Sequence, residues 1–139
     1  MRLITVLAAG LLACTALAES KSKVAPEYTL TSGSEPAQVT AGSEARYAIT
    51  IAPKAPWVFK ITTPLKIVLT ASDQVKLAKR DLDAKDIVDA GAEPKSVATT
   101  FTASAKGEHK IAADLAFFLC TDEVCKRYTD KIETKVRAK

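Results

Sequence analysis

From His109 to Leu119 every second residue, His109, Ile111, Ala113, Leu115, Phe117 and Leu119, can be buried, and a mostly more polar set falls between them. A period of two marks a strand with one face in a core and the other in water. This is the longest alternating run in the chain, and it leads directly into Cys120, four further residues and Cys125. A hairpin closed by Thr121-Asp122-Glu123-Val124 sets Cys120 opposite Cys125. It then pairs Phe117 with Tyr128, Ala113 with Ile132 and His109 with Val136 on one largely apolar face. The other face pairs Phe118 with Arg127, a cation on a ring, and Asp114 with Lys131, an ion pair. Lys110 opposite Lys135 is the one unfavourable match. A slip of one residue would carry Tyr128, Ile132 and Val136 to the polar face, so the pattern itself fixes the register. Opposed residues lie about 4.5 to 5.5 Å apart at Cα, within the range a disulfide accepts. Both sulfurs are expected on the polar face at the end of the sheet, open to a partner.

The rest of the chain extends this pattern. Tyr47, Ile49 and Ile51 alternate with Ala48 and Thr50, and Pro53 and Pro56 end that strand. β-branched and aromatic runs at Trp57 to Ile61 and Pro64 to Thr70 predict two more strands, and a shorter one is expected at Val75 to Leu77. A turn or short helical piece is expected around Asp81 to Asp89. Val97, Thr99 and Phe101 then alternate with Ala98, Thr100 and Thr102. Short strands punctuated by Gly and Pro, with no apolar stripe for a helix of ordinary length, predict an all-β, antiparallel β-sandwich. The Ser/Thr/Gly/Pro-rich stretch 19–44 reads as a polar leader with one short strand at Tyr28 to Leu30, and 45–139 as a single sandwich domain.

Ahead of them, Arg2, an apolar run from Leu3 to Ala18 and a polar exit have the layout of a secretory signal. The run is shorter than the roughly 20 apolar residues of a membrane-spanning helix. Two processing routes compete. Ala16-Leu17-Ala18 fits cleavage of a signal peptide at residues 1–18. Leu11-Leu12-Ala13-Cys14 resembles a bacterial lipobox, which would remove residues 1–13 and leave Cys14 as a lipid anchor. Either route predicts export to the periplasm or to the outer membrane as a lipoprotein, with membrane attachment only through that lipid. Either also takes Cys14 out of disulfide chemistry, so the mature domain keeps one pair, Cys120 and Cys125. An exported domain sits where a disulfide persists.

Charge and composition exclude several classes. Twenty basic and sixteen acidic residues are interspersed with no long single-sign block. A nucleic-acid surface would show a clustered basic face with aromatics among it. A structural zinc takes four protein ligands, whereas the mature chain has two cysteines and His109. No metal and no cofactor is expected, and His109 reads as a core-edge residue. Trp57 fits either the core of the sandwich or a cap over the cysteines. Lys126 and Arg127 follow Cys125 and would stabilise its thiolate, while Asp122 and Glu123 lie nearer Cys120 and oppose a second negative charge there. Cys125 is thus the expected nucleophile of a reduced pair. The residues alone leave two uses open for the bond, a structural clasp or exchange with a partner, and whether the chain is an enzyme turns on which applies.

A signal, a sandwich strand, a Pro-aromatic corner at Trp57, a Gly107-x-x-x-Ile111 strand running into Phe117-Phe118-Leu119-Cys120-Thr121-Asp122-Glu123-Val124-Cys125, and a closing strand to Val136 together resemble the amino-terminal periplasmic domain of DsbD-type thiol:disulfide interchange proteins. The resemblance covers most of 45–136 and is sharpest at the hairpin. It implies an immunoglobulin-like sandwich, a redox pair at Cys120 and Cys125 with Cys125 engaging the partner, and an oxidised periplasmic or envelope protein as that partner. Where the family usually continues with a Tyr-Pro-Pro-like stretch, this chain has Lys126, Arg127 and Tyr128. The other function considered is a non-catalytic immunoglobulin-like interaction or accessory lipoprotein with a structural hairpin disulfide.

Overall fold

The computed structural model describes residues 20–139. The strands are β1 Lys21–Val24, β2 Tyr28–Glu35, β3 Gln38–Val39, β4 Glu44–Pro53, β5 Lys66–Ala71, β6 Val75–Leu77, β7 Asp81–Leu82, β8 Lys95–Ala103, β9 Gly107–Cys120 and β10 Cys125–Ala138. A single 3-10 turn at Ala84–Asp86 starts on Asp83, whose carboxylate accepts from Lys85 N–H while Asp86 accepts from Asp83 N–H. One sheet runs β1-β2-β4-β8-β6 and the other β3-β10-β9-β5-β7. In β2-β4-β8-β6 facing β10-β9-β5 lies the A-B-E-D against G-F-C arrangement of an immunoglobulin-like sandwich. The chain changes sheets between β2 and β3, and β3 runs parallel to the end of β10.

Between the sheets lie Leu30, Tyr47, Ile49, Ile51, Ile67, Leu69, Phe101, Ile111, Phe117 and Leu119, all essentially without solvent contact. They fall at alternate positions of β2, β4, β5, β8 and β9, as the period-two reading requires. The expected register of the last hairpin is observed: Cys125 faces Cys120, Tyr128 faces Phe117, Ile132 faces Ala113 and Val136 faces His109. Gly107 opens β9 at φ +115°, a backbone conformation that a side chain would strain. The Lys110 and Lys135 match also occurs, and each lysine reaches a neighbouring acid instead, Glu133 at 3.6 Å and Glu108 at 3.8 Å.

Three expectations are corrected. The stretch 19–44 is no leader, since β1, β2 and β3 are part of the sandwich and Tyr28, Leu30 and Val39 are buried in its core. Its polar look arises because Ser32 occupies an inward position, where its hydroxyl bonds the Thr134 hydroxyl on the opposite sheet. Trp57 to Ile61 forms no strand. Only Val58 pairs, with Cys120, because the chain turns on either side of it, at Trp57 N–H to Lys54 O and Thr63 N–H to Lys60 O. Phe118 does stand opposite Arg127, but the cation-ring contact of this hairpin is Lys126 Nζ, 5.2 Å from the Tyr128 ring centre. The processing sites and Cys14 lie outside the described residues. Among the described residues no helix is long and apolar enough to cross a membrane.

Candidate functional site

The hairpin brings the two cysteines into a disulfide with a Cα separation of 4.0 Å. That closeness follows from the hydrogen-bond phase of the ladder. Thr121 N–H donates to Val124 O at 2.8 Å and closes the last bonded pair, so Cys120 and Cys125 form a non-bonded pair, the closer of the two kinds. The backbone of Cys120 consequently turns to the other side and exchanges two hydrogen bonds with Val58, at 2.9 and 2.8 Å. The turn itself is braced by the Thr121 hydroxyl, which accepts from the N–H groups of Glu123 and Val124.

This junction makes the two sulfurs unlike. Cys120, held between Val58 and β10, is 0% exposed, whereas Cys125 is exposed. The expectation that both sulfurs lie open therefore holds for Cys125 only. The charge environment is corrected as well. Lys126 alternates to the opposite side of the strand from Cys125, where it sits over the Tyr128 ring and 3.8 Å from Glu27. Arg127, two residues from Cys125, is the cation that shares its face.

Beneath the disulfide the sandwich end is filled by aromatic rings. Phe117 stacks on Tyr128 at 5.8 Å, and Tyr28 meets both edge-on at 5.1 and 5.3 Å. Trp57 meets Tyr128 edge-on at 6.2 Å and is half-buried, so it packs on the rim of the core. Tyr128 O–H is shielded from water and has no hydrogen-bond partner among the described residues. Burial, then the Glu27 carboxylate, pushes its pKa up. Around the sulfurs, Val58 and Val124 are about half exposed. An open groove lined by Pro53, Pro56, Trp57, Val58 and Pro94 runs beside them.

Two polar groups that the pattern did not single out sit at inward positions of β10. Asp130 accepts from Tyr28 O–H at 2.6 Å and pairs with Lys23 of β1. Burial raises its pKa, but the bonds from Lys23, Tyr28 and Lys131 N–H outweigh that and hold it below the ordinary value of 3.8. Burial and the same bond to Asp130 drive the Tyr28 phenol well above its ordinary range. Thr134 bonds Ser32 and lies 3.4 Å from the Tyr47 hydroxyl. Both sets join the sheets along the side that leads to the disulfide. His109, buried, bonds Ala105 O through Nε2 at 2.7 Å, as a core-edge residue does.

No family model and no curated protein matches the sequence. Among solved structures, the GAE domain of GGA2p from Saccharomyces cerevisiae is similar at a TM-score of 0.45 and 7% identity, over 83% of this chain and 96% of that one. A cohesin module from a Clostridium perfringens family 33 glycoside hydrolase is similar at a TM-score of 0.40 and 12% identity, over 90% and 100%.

Proposed function

We propose that this is an exported envelope domain, of the kind the DsbD amino-terminal domain represents, that exchanges its Cys120–Cys125 disulfide with a protein partner. The observation that carries the proposal is the asymmetry of the bond, with Cys120 wholly buried and Cys125 an exposed residue beside the half-exposed Val58 and Val124. Exchange requires an incoming or outgoing sulfur to reach one atom of the bond, and its rate depends on that access. In the reduced domain the Cys125 thiolate attacks a partner disulfide and one partner thiolate leaves. The Cys120 thiol, losing its proton, then attacks Cys125 Sγ and releases the second partner thiolate. Two electrons pass to the partner, its two sulfurs take up protons, and the domain is left oxidised. A dithiol donor returns it to the reduced state.

One observation favours the second reading, an accessory module with a structural clasp. The buried Cys120 is bonded through its backbone to Val58, so the disulfide ties three chain segments at one point. The two readings separate on how readily the bond opens in the folded domain. Under exchange, a thiol buffer poised at about −285 mV reduces most of the Cys120–Cys125 bond, whereas a clasp stays mostly oxidised in the same buffer. Faster alkylation of Cys125 than of Cys120 follows from burial under either reading.

A further inference from the structure

The position beside β10 is filled by β3 only at Arg137 and Ala138. From Cys125 to Lys135, about 34 Å of extended chain at 3.4 Å per residue, β10 has no strand on that side among the described residues. The hydrogen-bond phase identifies which groups are left over. Because Cys120 and Cys125 are a non-bonded pair, the N–H and C=O groups of Cys125, Arg127, Thr129, Lys131, Glu133 and Lys135 point away from β9, and of these Lys131 is already engaged, its N–H by the Asp130 carboxylate and its C=O by Lys23. Two contacts agree with this: Lys23 Nζ reaches Lys131 O at 3.4 Å, and further along Lys139 N–H donates to Val39 O on the β3 side. Strand β1, on the edge of the other sheet, stands next to this vacancy and places Lys23 against Asp130.

The charge of this side selects its occupant. Between Cys125 and Lys135 β10 carries four basic residues against two acidic ones, and β1 adds two lysines and no acid, a surplus of four that equals the net charge of the whole chain. Glu108 and Asp114 of β9 answer Lys135 and Lys131 at 3.8 and 3.4 Å, in exposed pairs that a further carboxylate can share. Lysines along an open edge keep two copies of a chain from pairing there, since like charges would be brought face to face. An acidic strand meets the opposite condition.

We propose that the free edge of β10 between Cys125 and Lys135 accepts an extended acidic segment of a partner protein as an added strand. The backbone groups supply its hydrogen bonds, and Arg127, Lys131 and Lys135 supply the preference for carboxylates. The site is independent of the redox state of the cysteines, so it stands whether or not the disulfide exchanges.

The test uses the oxidised protein with a peptide of about eight residues alternating valine and glutamate, and a control with lysine in place of glutamate. Amide hydrogen exchange at Arg127, Thr129 and Glu133 should slow by about tenfold or more with the acidic peptide and not with the basic one. Thr129→Pro removes an outward N–H but no ladder bond, so the fold should remain while affinity falls by about tenfold. If that variant misfolds, the double reversal Arg127→Glu with Lys131→Glu should switch the preference to the lysine peptide. Unchanged exchange at those three amides, equal binding of both peptides, or a charge reversal without effect would overturn the proposal. Exchange that slows with protein concentration alone would assign the edge to a second copy of this chain, which also overturns it.

Discussion

Reducing the Cys120–Cys125 bond should cost the fold little. The ring it closes spans the two cysteines and the four residues between them. Loop-closure entropy for a ring that small is about 7 cal/mol/K, or about 2 kcal/mol at 25 °C. The native hairpin does not depend on it. The Phe117–Tyr128 stack, the pairing from Leu119 and Lys126 down to Gly107 and Ala138, and the Val58–Cys120 backbone bonds do not involve the sulfurs and should persist in the dithiol. With an unfolding entropy of about 2.1 cal/mol/K per residue over the sandwich, that loss lowers Tm by about 8 °C. By linkage, the fold makes this couple only about 40 mV more reducing than the same ring in the unfolded chain. Calorimetry on oxidised protein and on protein held reduced by a phosphine measures the difference directly. A fall of 20 °C or more, or unfolding on reduction, would refute the small-loop reasoning and make the bond a principal support of the domain.

Thr134→Val keeps the volume but strands the Ser32 hydroxyl and removes the Tyr47 contact between the sheets; it should cost about 2 kcal/mol in urea unfolding. The triple variant Ser32→Ala, Thr134→Val, Tyr47→Phe should recover part of that loss, because no buried hydroxyl is then left unpaired. Asp130 has a folded pKa below its ordinary 3.8, so its contribution is present above that value and lost as pH falls through the folded value. Asp130→Asn should therefore flatten the acid limb of a stability-pH curve below about pH 4. Tyr28 has a raised folded pKa, so its contribution is present below pH 10 and lost as pH rises beyond it. Tyr28→Phe should flatten the alkaline limb read by the same titration.

The fold was legible where a polar residue did not intrude on the core face. Strands β4, β8 and β9 keep apolar or small residues at nearly every inward position, and the hairpin register followed from Tyr128, Ile132 and Val136 alone. Strand β2 was read short because Ser32 and Gly33 break its pattern, although Ser32 is buried against Thr134. The inward Asp130 was invisible for the same reason, since its partners Tyr28 and Lys23 lie over a hundred residues away. Of the candidate site, the pairing of Cys120 with Cys125 was readable from register, but the burial of one sulfur was not. Nor was the backbone pairing of Cys120 with Val58, a single paired residue in a segment whose β-branched and aromatic composition reads as a full strand. Lys126 was misjudged because sequence adjacency to Cys125 ignores the alternation that sends it to the Tyr128 side.

The most direct test of the central claim is the reduction potential of the Cys120–Cys125 couple in the purified domain, set by equilibration with glutathione or dithiothreitol buffers and read by mass after alkylation. Structural disulfides of secreted proteins typically lie below about −300 mV, and exchanging ones lie above it. Exchange predicts a value between about −120 and −270 mV, the range of known thiol-disulfide proteins. A value below about −300 mV would contradict it and leave the bond a clasp on an immunoglobulin-like module.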